Sequence, residues 1–415
     1  MRSSPSADRL IRLDDPAAAD AGLAGGKAAA LARARHAGLP VLPGYVVPAA
    51  EGEAALAAGC AALRSRGRQG ARAAVFALPV GEGLTGDLAR AVHRLGGRVI
   101  VRSSSAIEHD PLWSGAFSSI REIGPGDVAA AVRSCWASAF APGTLDRLGQ
   151  AGLGPADAGL SLLVQPDLEP EFGGLARCEG DGTEITWTAG HPGAMLAGVA
   201  AGETVRAGEP NATAGRIGRA ILRRVAGLAR AVRDLSGDEV IEWAWAGDRL
   251  QLLQCGPGPR SAGPGAPART VPGAAAGTVP GAEPEDGVIR VTGTACVAGD
   301  ATGSLRYVSP GRSAPAGHIL VSERPLASFA PLLFGARGIV CRSGPADCHL
   351  AGVAGALGVP MLVQARLPGP LGALNEGWLG RLSGHRGELA LVPPGRCSIR
   401  SALDLSLTLR SPWPR

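Results

Sequence analysis

Of the 41 basic side chains in the chain, 40 are arginine and one is lysine, Lys27, in "LAGGKAAALARA" directly after Gly25-Gly26. A composition this rich in Ala, Gly, Arg and Pro replaces Lys by Arg wherever either serves. One retained lysine points to a place where a compact ammonium is needed and a planar guanidinium is not, such as a gap between phosphate oxygens. The spacing starts a helix at Lys27, where a cation opposes the helix dipole at a cost of about 0.3–1 kcal/mol. An anion held by the ammonium and the free N–H groups reverses that sign. It is not a Walker A loop, because Ala28 follows the lysine and the glycine spacing is wrong. The plain alternative is a surface lysine.

Three further places carry chemistry-bearing residues. Arg102 ends the apolar run "RVIVR" and precedes Ser103-Ser104-Ser105. Then comes "EHDPLWSGAF", whose Gly115 sits in a loop able to close over a ligand. In "EVIEWAWAGDRLQLLQ", a three-residue turn at 247–249 puts Glu242 and Gln254 opposite one another on one sheet face. A carboxylate and an amide oxygen side by side suit Mg²⁺ on nucleotide phosphates. A two-residue turn would send them to opposite faces, and the plain alternative is a solvated edge hairpin. In "SGPADCHLAGVAGALGVP", Asp347 reads as N-cap, His349 as first turn and Gly358 as stop. The helix dipole keeps such an imidazole neutral and nucleophilic, and an added phosphoryl group would land on free N–H groups. For a lone histidine, plain packing is the stronger reading.

These residues need a scaffold of strands and helices. "KAAALARARHAG" reads as a helix closed by Gly38, and "RVIVRSS" and "LSLLVQP" read as buried strands. "AGRIGRAILRRVAGLARAVRDLSG" reads as an amphipathic helix ending at Gly237. After residue 286, the short strands in "GHILVSE", "ARGIVCRSG", "PMLVQ" and "GELALV" surround a helix from Cys348 to Leu357, which makes a small α/β domain. Between the two parts, "GPGPRSAGPGAPARTVPGAAAGTVPGAEPED" holds seven prolines, many glycines and almost nothing that could fill a core. As a coil it would set its ends roughly 30 Å apart. The expected organisation is a domain over 1–255, a Pro/Gly linker over 256–286, a second domain over 287–393 and a tail over 394–415.

Composition excludes several classes. The net charge of +5 comes without runs of like charge, and six Phe and two Tyr supply few stacking surfaces, so a nucleic-acid partner is not expected. The start "MRSSPSADRLIRLDD" has no apolar signal region, and no stretch reaches 18 apolar residues, so neither export nor a membrane is expected. The eight cysteines form no C-x-x-C pair and read as reduced thiols of a cytoplasmic protein.

Five segments in order carry a family likeness: "GGKAAALARARHAGLPVLPGYVV", "VIVRSSSAIEHD", "LSLLVQPDLEPEFGG", "VIEWAWAGDRLQLLQ" and "GIVCRSGPADCHLAGVAGALGVPMLV". Together they resemble the phosphoenolpyruvate synthase / pyruvate phosphate dikinase family, to which rifampicin phosphotransferase also belongs. The resemblance runs from about residue 20 to 393. It implies an α/β chain: an ATP-grasp nucleotide-binding domain and a swivelling phosphohistidine domain, with ATP and Mg²⁺ as cofactors. It implies that Lys27 and Arg102 hold phosphates, Gly115 lies in the lid, Gln165 lies near the nucleotide and Glu242 and Gln254 ligate Mg²⁺. It makes His349 the residue that takes the phosphoryl group and passes it on.

Three departures qualify the likeness. The family's Gln-x-Arg-Pro reads here Gln254-Cys255-Gly256-Pro257, without the arginine. Asp347 stands where the family has threonine, adding like charge beside a phosphohistidine. Only 22 residues follow 393, so the pyruvate barrel is expected to be absent. The expected activity is therefore ATP-dependent phosphotransfer to a small-molecule acceptor other than pyruvate. The alternatives are one subunit of a split dikinase, its acceptor domain on a partner protein, and a degenerate nucleotide-binding regulator.

Overall fold

The computed structural model describes residues 9–180, 182–198, 200, 202–207, 217–257, 288–310, 316–346, 348–374 and 378–393. Apart from its first two residues, the expected linker lies outside the described residues, as do the tail and Asp347. Two compact units divide the chain, Met1–Gly258 and Pro259–Arg415.

Two antiparallel sheets build the first unit. One holds β1 (Ile11–Arg12), β2 (Tyr45–Val47), β3 (Val99–Ser105), β4 (Ser119–Ile123) and β5 (Leu160–Pro166), in the order β1-β2-β5-β3-β4. The other holds β6 (Phe172–Glu179), β7 (Gly182–Ala189), β8 (Glu203–Arg206), β9 (Val240–Ala246) and β10 (Arg249–Gly256), in the order β10-β9-β6-β7-β8. The helices are α1 (Ala21–His36), α2 (Glu53–Ala77), α3 (Glu82–Arg94), α4 (Val128–Ala137), α5 (Pro142–Gln150), α6 (Gly193–Leu196) and α7 (Arg219–Ser236).

Strand β5 is buried from Leu160 to Gln165 because both of its faces are covered. Leu160, Leu162 and Val164 join Val99 and Val101 against α2, α3 and α4. Leu163 faces the other way, into a second core with α1, α7 and the Ile241, Trp243 and Trp245 face of β9. Helix α1 touches β3, β5 and β10, so it is the common wall of both sheets. Gly237 closes α7 in the left-handed conformation (φ 76°), as expected of a glycine at that position.

The second unit is one eight-stranded sheet. In chain order its strands are β11 (Ile289–Thr292), β12 (Thr294–Val297), β13 (Asp300–Tyr307), β14 (Ile319–Ser322), β15 (Gly338–Cys341), β16 (Met361–Val363), β17 (Leu379–Ser383) and β18 (Glu388–Val392). They lie β11-β18-β17-β13-β14-β15-β16-β12, with β13 to β16 parallel. The helices α8 (Ala330–Leu333) and α9 (His349–Ala356) occupy the crossovers of this parallel run. The chain is thus mixed α/β in both units.

Candidate active site

Lys27 does not sit at the true start of its helix. Helix α1 begins at Ala21, capped by the Asp20 side chain, and Gly25 breaks it with φ 75° and ψ 165°. Ser104 fills the break. Its hydroxyl donates to Ala24 O (2.7 Å) and accepts from Ala28 N–H (3.0 Å), so it stands in for the missing Ala28-to-Ala24 helical bond. Only glycine fits at 25, since a Cβ there would lie 1.7 Å from Ser104 O. The expected helix start at Lys27 therefore exists as a restart after the Gly25 break inside a longer helix, and Ser104 of β3 positions it.

The ammonium of Lys27 lies 2.5 Å from Glu108 Oε1 and 3.5 Å from Ser103 Oγ. Only 15% of the lysine side chain and 2% of the glutamate side chain are exposed. Glu108 also accepts from Ser105 N–H (2.7 Å) in a capping box at the end of β3. This carboxylate escaped the sequence reading, although Ser105-Ala106-Ile107-Glu108 is the S-x-x-E signature of such a box. The pair offers a second reason for a retained lysine: a buried carboxylate left without its cation costs roughly 3–5 kcal/mol.

Arg102 bridges the two sheets. Its Nη1 donates to Leu253 O (2.6 Å), its Nη2 to Gln254 Oε1 (3.1 Å), and Nη2 lies 3.7 Å from Glu242 Oε2. The turn beneath is not the expected one. Ala246 pairs with Arg249, so only Gly247 and Asp248 turn, both with positive φ (54° and 60°), as this tight turn requires. On a regular ladder that turn would separate Glu242 from Gln254. A β-bulge at Leu253 inserts one residue and restores Gln254 opposite Glu242. The extra residue also supplies the carbonyl that Arg102 takes. Two oxygen donors with hard character thus converge beside one cation, a set that fits Mg²⁺ sharing its shell with phosphate and water. Among the described residues no group of three or more His, Cys, Asp or Glu could hold a metal.

The other expected residues fall at different distances from this centre. Gln165 is 2% exposed, donates to Leu42 O (3.2 Å) and shares the Arg102 face of the first sheet, one strand over. Gly115 is exposed in the turn between β3 and β4, with φ 63°. Its neighbours are tied from behind. Arg147 Nη1 donates to Ser114 O (2.9 Å) and Leu112 O (3.4 Å), and Thr144 donates to Ala116 O (2.6 Å). Burial lowers the Arg147 pKa to about 10, which leaves it charged at neutral pH.

His349 belongs to the second unit and is the first residue of α9, half-buried. The expected cap at Asp347 is corrected. Cys348 has the extended backbone of a cap (φ −93°, ψ 164°), and its carbonyl accepts from Ala351 and Gly352. None of the seven described cysteines forms a disulfide. No helix among the described residues is long and apolar enough to cross a membrane.

Residues 21–232 match the family model "Pyruvate phosphate dikinase, AMP/ATP-binding domain", and residues 314–368 match "PEP-utilising enzyme, mobile domain". The first match alone spans just over half of the chain. The chain belongs to the pyruvate phosphate dikinase family. Lys27, Arg102, Gly115 and Gln165 lie inside the nucleotide-binding match and His349 inside the mobile-domain match, while Glu242 and Gln254 lie beyond the first. No curated protein sequence matches the chain.

Solved structures with some likeness include holo aconitase X from Thermococcus kodakaraensis, at 17% identity and a TM-score of 0.21, over 25% of this chain and 99% of that one. N5-carboxyaminoimidazole synthase from Aspergillus clavatus, in complex with ADP and 5-aminoimidazole ribonucleotide, matches at 13% and 0.24, over 48% of this chain and 42% of that one. D-alanine-D-alanine ligase from Coxiella burnetii matches at 11% and 0.25, over 55% and 53%. Likenesses at this level extend to no shared activity.

Proposed function

We propose that this member of the dikinase family transfers a phosphoryl group from ATP to His349 and on to a small-molecule acceptor other than pyruvate. The observation that carries the reading is the presence, in one chain, of a nucleotide-binding unit whose Arg102 meets Glu242 and Gln254 and a mobile domain whose helix opens on a histidine. In this reading Lys27 and Arg102 are phosphate ligands and Gly115 belongs to the loop over the nucleotide. Gln165 lines the nucleotide site from β5. Glu242 and Gln254 would hold Mg²⁺, which neutralises phosphate charge when bound. His349 forms a bond to the β-phosphorus. The bond from that phosphorus to the α-phosphate oxygen breaks and releases AMP, and water removes the γ-phosphate as inorganic phosphate.

ATP labelled at the β position is therefore expected to leave acid-labile label on the protein, with AMP as nucleotide product. Label from γ-labelled ATP alone, with ADP accumulating, would contradict this. Bound nucleotide with no label from either would instead identify a binding protein, the reading that Gly256 in place of the family arginine favours.

Lys27→Arg separates the two reasons for the lysine. It keeps the charge beside Glu108, so urea denaturation should shift by no more than about 1 kcal/mol. A planar fork cannot take the position of an ammonium at the phosphates, so ATP turnover should fall about 100-fold. Wild-type turnover in this variant, or a loss of stability without a loss of turnover, would leave Lys27 a purely structural residue.

A further inference from the structure

The turn from β7 into α6, Gly190-His191-Pro192-Gly193, has no part in the site described so far. It lies over the Glu242 face of the second sheet. Pro192 packs on Gly173, where a Cβ would come 2.5 Å from the proline ring. Gly173 pairs with Ala244, which shares its face with Glu242 two residues away. Beyond the turn, Met195 and Leu196 pack on Leu175 and Val240, and Leu175 is the strand neighbour of Glu242. Helix α7 covers the opposite face, with Ile241 and Trp243.

His191 thus stands on the side of the sheet that faces Arg102. Its charged neighbours come from both sheets: Arg121 and Asp167 beside β4 and β5, Arg102 on β3 and Glu242 on β9. Most of their capacity is already spent. Asp167 accepts from Arg121 Nε (2.8 Å) and Glu122 N–H (2.8 Å), Arg121 also donates to Leu168 O, and Arg102 faces Glu242.

One ring nitrogen is committed. Nδ1 accepts the Gly193 N–H at 3.0 Å, which places the proton of the neutral ring on Nε2. Nε2 has no hydrogen-bond partner among the described residues. Burial first, then Arg121 and Arg102, hold the imidazole below its ordinary pKa, against Asp167 and Glu242, so the ring is a neutral donor at pH 7. A fixed N–H donor on the side of the sheet that faces Arg102, with Arg121 also among its charged neighbours, is suited to an oxyanion. On the strand after Gln254, Cys255 and Gly256 supply no cation.

We infer that His191 is a nucleotide ligand, donating its Nε2–H to a phosphate oxygen of ATP next to Arg102. The inference rests on the ATP-dependent reading above and adds a residue to that site.

Two substitutions divide the ring's functions. His191→Asn keeps an acceptor where Nδ1 receives the Gly193 N–H and removes the distal donor. His191→Gln keeps a donor near Nε2 and gives up the inner acceptor. Both are made in full-length His349→Ala protein, which cannot turn ATP over by this route, and ATP with MgCl₂ is titrated by calorimetry. A hydrogen bond to a charged group predicts a Kd about 10- to 100-fold weaker for Asn, with an unchanged melting temperature. Gln should stay within about threefold of the parent, well short of the tenfold that one 1.4 kcal/mol interaction represents. Parent-like affinity in Asn, or an equal loss in Gln, overturns the assignment while nucleotide binding stands. If the parent itself binds no ATP, the proposed function falls and this inference falls with it.

Discussion

Full-length protein carrying His349→Ala is expected to take up no acid-labile phosphoryl group from β-labelled ATP, under conditions that label the wild type. The expectation follows from the surroundings of α9. His349 occupies the first helical position, where an added phosphoryl group would meet the positive end of the helix dipole. Its neighbour Cys348 is the other nucleophile at this helix start. The N–H groups of Ala351, Leu350 and Cys348 pull that thiol's pKa down, but burial outweighs them and raises it to about 11. Cys341 is pushed up further by burial, beyond any thiolate at neutral pH. Neither thiol competes, because the thiolate is the reactive form. Cys348→Ala should therefore keep the label that His349→Ala loses. Label surviving in His349→Ala, or label on the wild type that resists acid, would move the phosphoryl group to another residue and remove the two-step transfer.

Much of the fold could be read from the chain because its strands and helices are locally consistent. "LSLLVQP" is β5 from end to end, and a short segment built on Leu160, Leu162, Leu163 and Val164 has few other uses when both faces are covered. The hairpin around Gly247-Asp248 follows from its two alternating runs, though not the length of its turn, and the glycine closing α7 follows from helix-stop chemistry. Helix α1 was less legible. The pattern after Gly26 gives its second segment, but the Ala21–Ala24 segment depends on Ser104, about 80 residues away, whose hydroxyl bridges the break at Gly25.

The site was legible in its residue types and less so in its partners. Glu108 is visible as the fourth residue of a capping box, yet nothing local says that the same carboxylate meets Lys27. The bulge at Leu253 cannot be seen in "DRLQLLQ", because no glycine or proline marks it. It exists where Arg102, from a strand about 150 residues earlier, takes the Leu253 carbonyl. His191 was passed over for the same reason: its neighbours come from β3, β4, β9 and the end of β5, and a sequence window shows none of them.

Glu242→Gln tests the paired oxygens most directly. The substitution keeps volume, and the backbone pairs of residue 242 with Gln254 and Leu175 are unaffected. Arg102 loses a carboxylate at 3.7 Å but keeps Leu253 O at 2.6 Å and Gln254 Oε1 at 3.1 Å. With the guanidinium still held by two acceptors, and the lost ion pair long, the stability change should stay below the roughly 3–5 kcal/mol of a buried pair broken outright. Function should respond on a different scale. Two neutral amide oxygens replace a carboxylate-amide pair, and a hard dication draws its affinity chiefly from the carboxylate. Removing one fixed charge that acts on a transferring phosphoryl group costs about 10³-fold in rate. ATP turnover should fall by that order across a MgCl₂ titration, and ATP binding should lose most of its dependence on Mg²⁺. Glu242→Asp keeps the charge on a shorter arm and should recover part of both. If Glu242→Gln retains the wild-type Mg²⁺ requirement, Glu242 serves only to balance Arg102, and the metal is held elsewhere.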